Sequence, residues 1–201
     1  MNIEDFIICS AAKFEIEPIL KLSQRKIRYL SFGIGSIKAA VMGQKFKNQL
    51  ANSKLLIIGT CGSLSSFTKL ELITVDKTFW LPTGQRIGQA WSLEQNIPSI
   101  SLQPNPIFND LVKKKVLTSP TISKNAIIDP KIEQEIGPKS ELVENLELYT
   151  FLNEIKDSVK SVTCLLVVTN ELCQNAREQW KSNHKLAANL TANYLIRKGM
   201  L

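Results

Sequence analysis

Apolar residues in this chain fall into short unbroken runs, separated by stretches where they recur every three or four positions. That is the signature of strands alternating with helices. Phe6-Ile7-Ile8-Cys9-Ser10 is the first run, and Lys13-Phe14-Glu15-Ile16-Glu17-Pro18-Ile19-Leu20 follows it with helical spacing. Residues 27–32 predict a second strand, Gly33-Ile34-Gly35 a turn, and residues 36–50 a helix capped by Ser36. Leu55-Leu56-Ile57-Ile58 reads as a strand buried on both faces that stops at Gly59-Thr60-Cys61-Gly62-Ser63. Residues 70–80 and 97–102 predict further strands, with a loop over 82–95.

Between residues 104 and 138 the pattern is broken by Pro104, Pro106, Pro120, Pro130 and Pro138, which limit helix length. Beyond it, residues 141–156 predict a helix, residues 161–168 a buried strand ending at Thr169-Asn170, and residues 176–197 a long amphipathic helix. No repeat, low-complexity stretch or linker divides the chain, so residues 1–201 are expected to form one domain. The expected architecture is α/β: a mainly parallel sheet covered by helices on both faces, three layers in all. Ligands in such folds sit beyond the carboxyl ends of the strands. Four segments lie there: residues 11–15, 31–36, 59–63 and 169–171.

Composition narrows the function classes. With 201 residues, 44% hydrophobic and 21% charged, the chain is neither disordered nor fibrous. No stretch reaches the roughly 20 apolar residues of a membrane span. The start, Met1-Asn2-Ile3-Glu4-Asp5, is acidic where a secretory signal is basic, so a cytoplasmic location and no membrane partner are expected. Cys9, Cys61, Cys164 and Cys173 form no CxxC pair and His184 is the single histidine. That argues against a zinc site and against Cys-His or Ser-His catalysis elsewhere in the chain; no metal and no cofactor are expected, and His184 is assigned a structural role. The net charge of +7 is spread along the chain. Its one lysine triplet, Lys113-Lys114-Lys115, reads as a solvated helix face, and no nucleic-acid partner is expected.

Two glycine turns carry candidate chemistry. Gly33-Ile34-Gly35 ahead of a helix suits either a tight structural turn or backbone N–H groups turned toward an anion; it lacks the third glycine of a dinucleotide fingerprint. Gly59 and Gly62 would let a ligand approach the main chain of a buried strand.

Taken with three other segments, these turns resemble the nucleoside phosphorylase and nucleosidase superfamily, the purine and uridine phosphorylase fold. The matching segments are Ser10-Ala11-Ala12-Lys13-Phe14-Glu15-Ile16, Gly33-Ile34-Gly35-Ser36-Ile37-Lys38-Ala39-Ala40, Ile57-Ile58-Gly59-Thr60-Cys61-Gly62-Ser63-Leu64, Glu144-Asn145-Leu146-Glu147 and Val168-Thr169-Asn170. They keep the superfamily's order. Within it, the last two segments with Arg177 and Trp180 look most similar to the futalosine hydrolases.

The resemblance implies a mixed, mainly parallel sheet, a homodimer with the site near its interface, and cleavage of the N-glycosidic bond of a purine nucleoside. It also implies roles. Glu147 would bind the ribose hydroxyls and favour positive charge on the sugar. Glu15, kept ionised, would hold and deprotonate the attacking water. Asn170 would meet the base: an amide donates and accepts but is not an acid, which suits a 6-oxopurine better than adenine. Gly33, Thr60, Cys61, Gly62, Asn145, Leu146 and Thr169 would line the substrate site. No arginine stands in residues 10–15 or 59–63 to hold phosphate, so hydrolysis is favoured over phosphorolysis. Futalosine is the leading substrate. The alternatives are a methylthioadenosine/adenosylhomocysteine nucleosidase, a purine nucleoside phosphorylase, or a non-catalytic nucleoside-binding protein. The leading reading requires Glu15, Glu147 and Asn170 to converge on one cavity.

Overall fold

The computed structural model describes residues 2–67, 69–91 and 96–201. A 3-10 turn at Ile3–Asp5 leads into β1 (Phe6–Ser10) and α1 (Lys13–Leu22), then β2 (Arg28–Ser31), α2 (Ser36–Leu50), β3 (Lys54–Ser63) and β4 (Glu71–Trp80). The four-residue α3 (Thr83–Arg86) and β5 (Ser99–Ser101) follow, and after a 3-10 turn at Pro106–Phe108 come β6 (Val112–Thr118) and α4 (Pro130–Ile136). A further turn at Lys139–Glu141 precedes β7 (Leu142–Asn145), α5 (Leu148–Ile155), β8 (Ser161–Glu171) and α6 (Ala176–Arg197).

The strands form one mixed sheet in the order β2-β1-β3-β7-β6-β4-β5, with β8 paired to both β3 and β4. The strands β3, β7, β6, β4 and β8 thereby close on themselves. Pairings β1–β2, β1–β3, β3–β8, β4–β6 and β6–β7 are parallel, while β3–β7, β4–β5 and β4–β8 are antiparallel. The unbroken apolar runs have a two-residue period in their packing. Ile7, Cys9, Leu55 and Ile57 join α2 and α5 in one core, and Phe6, Ile8, Leu56 and Ile58 join α1 and α6 in another. Both faces are covered, which is why these strands carry no polar alternation. Among the described residues no helix is long and apolar enough to cross a membrane.

Five local expectations are corrected. The strand over 55–58 does not stop at Gly59: β3 runs to Ser63 and β8 to Glu171, because the two pair along their whole length, with a bulge between Cys61 and Gly62. Pairing overrides the glycine signal. Residues 141–156 are not one helix: Leu142–Asn145 pairs with β6 and β3, and α5 begins only at Leu148. Lys113, Lys114 and Lys115 lie on strand β6, not on a helix, with Lys115 Nζ on Glu141 Oε2 at 3.1 Å and on the Ile136 carbonyl at 3.0 Å. The α2 cap position is Gly35, with Ser36 the first helical residue. The loop over 82–95 contains α3, and its residues 92–95 lie outside the described residues.

Candidate functional site

Where the parallel strands β1, β3 and β8 end, a cavity of about 320 Å³ opens. Glu15, Glu147 and Asn170 all line it. So do Thr60, Cys61, Gly62, Asn145 and Leu146. Two expected residues stand elsewhere. Gly33 lines a neighbouring cavity with Lys13 and Lys38. Thr169 is wholly buried behind the wall, its hydroxyl 3.0 Å from Asn170 Oδ1 and 3.3 Å from the Cys61 carbonyl.

The two expected carboxylates are held by main chain. Glu15 sits in the first turn of α1, where its Oε2 accepts the Ala12 N–H at 2.9 Å. Glu147, just ahead of α5, accepts the Gly35 N–H on Oε1 at 2.9 Å. Gly35 has φ +92°, a conformation that favours glycine and that turns this N–H toward the carboxylate. The anion served by the Gly33-Ile34-Gly35 turn is therefore a side chain of the protein itself. Asn145 fixes the approach of Glu147: its Oδ1 accepts the N–H groups of Glu147 and Leu148 at 2.9 and 2.8 Å, while its Nδ2 donates to the Thr60 carbonyl at 3.0 Å.

Both carboxyls are buried, 7% exposed for Glu15 and 5% for Glu147. Burial pushes Glu15 up to about 8, opposed by the Ala12 N–H and reinforced by the negative charge of Glu147. Burial thus works against the ionised Glu15 that the sequence reading requires, while the Ala12 N–H works for it. Burial raises Glu147 too, against the Gly35 hydrogen bond. It also keeps the Cys61 thiol neutral.

At the other end, Asn170 lies on β8 against Gly62 of β3. A Cβ on Gly62 would come within 2.7 Å of Asn170 Nδ2, so the missing side chain makes room for the amide. Asn170 Nδ2 donates one proton to the Glu171 carbonyl at 3.1 Å, and its Oδ1 faces the Thr169 hydroxyl. The second amide proton is left to serve an acceptor on a ligand. Phe14 and Trp180 add an aromatic wall. Trp180 Nε1 donates to Thr60 Oγ1 at 3.1 Å and its ring stacks on His184 at 4.8 Å.

Glu144 and Ile122 also line the cavity. Glu144 was legible only as part of a motif, since its place opposite Gly62 depends on the β3–β7 register. Ile122 lies in the proline-broken stretch, which carries no periodic pattern. Among the described residues Arg177 is the one cation of the lining, against the three carboxyls of Glu15, Glu144 and Glu147. Among the described residues no cluster of three or more His, Cys, Asp or Glu is placed to hold a metal ion.

No protein-family model and no curated protein matches the sequence. Solved structures do match. A mutant of the Helicobacter pylori nucleosidase MTAN with 5′-methylthioadenosine in its active site aligns at TM-score 0.71 and 14% identity over 98% of each chain. A mutant of Helicobacter pylori futalosine hydrolase aligns at 0.71 and 15% identity, over 96% of this chain and 97% of that one. The S-adenosylhomocysteine nucleosidase of Streptococcus pyogenes, in complex with 5-methylthiotubericidin, aligns at 0.73 and 12% identity over 98% and 97%. At these identities the likeness establishes the fold alone, which this chain shares with these nucleosidases.

Proposed function

We propose that this chain is a nucleosidase that hydrolyses the N-glycosidic bond of a purine nucleoside, with futalosine as the leading substrate. The convergence of Glu15, Glu147 and Asn170 on one cavity at the strand ends carries this reading. The C1′–N9 bond breaks with its electron pair leaving on the base, and positive charge builds on the ribose. Glu147 binds the ribose hydroxyls and stabilises that charge from a buried, pre-oriented position. Water attacks C1′ and passes its proton to the ionised form of Glu15, while the departing base takes a proton from solvent. Gly33 is not needed in this scheme; Thr169 acts through Asn170.

Hydrolysis is favoured over phosphorolysis by the lining itself: among the described residues Arg177 is its one cation, too little to clamp a phosphate dianion. Asn170 favours a 6-oxopurine, because its second amide proton can meet O6, an acceptor where adenine carries an amino donor. Release of adenine from methylthioadenosine or adenosylhomocysteine is the second reading, favoured by the neighbours crystallised with adenosine-like ligands. We also place a second copy of the chain on the face bearing Ile34, Ile37 and Val41. These are 54%, 80% and 60% exposed, and Ile34 reaches the cavity. Four unpaired cysteines suit the reducing cytoplasm.

Base release from inosine, futalosine, methylthioadenosine and adenosylhomocysteine, with and without phosphate, tests the proposal. Hypoxanthine from futalosine without phosphate is the expected result. Adenine release selects the second reading, phosphate dependence makes the protein a phosphorylase, and no release from any nucleoside leaves a binding protein.

A further inference from the structure

Residues 119–128 cross the end of the cavity between two buried charged side chains. From one side Glu144, 5% exposed, accepts the Ser123 N–H on Oε1 at 3.0 Å and the Ser123 hydroxyl on Oε2. From the other, Arg86, wholly buried, donates Nη2 to the Asn125 carbonyl at 2.9 Å and Nη1 to that of Ile127. Just ahead of the first anchor the chain is open to solvent: Ser123 is 1% exposed, but its neighbour Ile122 is 51% exposed and lines the cavity.

The strand register says which end this is. Glu144 on β7 pairs directly with Gly62 on β3, and Gly62 pairs with Asn170 on β8. Residues opposed in this way share a face of the sheet, so Glu144 and Asn170 flank the gap left by Gly62. The loop that Glu144 holds therefore closes the Asn170 end. A carboxyl is costly to bury unless its hydrogen bonds are made, and here both oxygens are spent on one residue of that loop.

We infer that Glu144 is a positioning residue: it latches the 119–128 loop through Ser123 and so holds Ile122 as the wall against which the base rests. This rests on the nucleosidase reading for the identity of the ligand, while the latch itself does not.

Amide hydrogen exchange over residues 119–128 reads the latch, and calorimetry with hypoxanthine reads its consequence. Glu144→Ala is expected to speed exchange of the loop and to weaken hypoxanthine by about 10- to 100-fold, the worth of hydrogen bonds to a charged group. The nucleoside KM should rise in step, with kcat within about threefold. Glu144→Gln keeps an acceptor for the Ser123 N–H and a donor for its hydroxyl, so it should restore most of both readouts. Ser123→Ala, which spares the cavity carboxyl, should shift both in the same direction as Glu144→Ala but less, and it carries the test if Glu144→Ala does not fold. Unchanged exchange in both Ala variants overturns the latch. Gln as weak as Ala overturns the positioning role and gives the carboxylate direct contact with ligand. A loop that loosens as expected in a protein that releases no base from any nucleoside leaves the latch standing and removes the nucleosidase reading instead.

Discussion

The two ends of the cavity are held in different ways. Glu15 and Glu147 hang from main-chain N–H groups, those of Ala12 and Gly35. Asn170 and Glu144 hang in part from side-chain hydroxyls, those of Thr169 and Ser123, beside the Glu171 carbonyl and the Ser123 N–H. A main-chain anchor moves only if the backbone moves, whereas a side-chain anchor changes with one substitution. On the proposed reaction, the carboxylate end holds the fixed chemistry, and the amide end is where a ligand's identity can be tuned.

The largest expected effect lies at the carboxylate end. On the proposed reaction, Glu147→Gln keeps an acceptor for Gly35 but removes the charge that would stabilise the sugar cation, and kcat/KM should fall by about 10³, ~4 kcal/mol of transition-state stabilisation. A loss of less than about tenfold would remove Glu147 from the chemistry.

Glu15 sharpens the contrast through pH. With its carboxyl at about 8, the ionised fraction, and with it kcat/KM, should rise about tenfold per pH unit up to that value and then level off. Glu15→Gln should lose about 10²-fold or more and the slope together. Stability should respond with the opposite sign. The unfolded chain releases this proton near 4.3 and the folded chain near 8, so across that window the native state binds the extra proton and stability falls as pH rises. Glu15→Gln removes this dependence. Its Tm should therefore gain on the wild type between pH 5 and pH 8, and a gap that is constant with pH would mean that Glu15 ionises normally.

The same division explains what could be read without a structure. The carboxylate end was legible because Glu15 and the Gly33–Gly35 turn are local features of strand-turn-helix units whose periodicity is plain; the helices over 36–50 and 176–197 match their observed bounds. The amide end was partly hidden. Thr169-Asn170 stood out at the end of an apolar run, but Glu144 and Ile122 reach the cavity only through the β3–β7 register and a proline-broken loop. Neither leaves a periodic trace. The misread helix over 141–156 has the same cause: Leu142–Asn145 is a strand because β3 and β6 flank it, and nothing local announces those partners. Gly33 was assigned to the ligand and instead supports the turn, since its neighbour Gly35 supplies the N–H that Glu147 accepts.

Gly62→Ala should be felt at the amide end alone. The added Cβ would lie 2.7 Å from Asn170 Nδ2 and 2.8 Å from Leu172 Cδ2, so one side chain must give way. Overpacking of this kind costs about 1–3 kcal/mol, and it should appear mainly as about tenfold or greater loss of hypoxanthine affinity. An equal loss of kcat would mean that the two ends are mechanically coupled.

Trp180 touches both ends and gives the smallest effect. Its Nε1 donates to Thr60 Oγ1 at 3.1 Å, and the Thr60 carbonyl accepts from Asn145, which in turn orients Glu147. Trp180→Phe keeps an aromatic ring near Phe14 and His184 but loses that one hydrogen bond. A single neutral bond is worth about 1 kcal/mol, which for a domain of this size lowers Tm by about 2–4 °C. If Thr60 transmits strain to Glu147, kcat should fall with it. If the carboxylate end is as rigid as its main-chain anchors imply, kcat should hold while KM rises by about fivefold. The rigid outcome is expected, because Asn145 holds Glu147 through two further N–H bonds that do not involve Thr60.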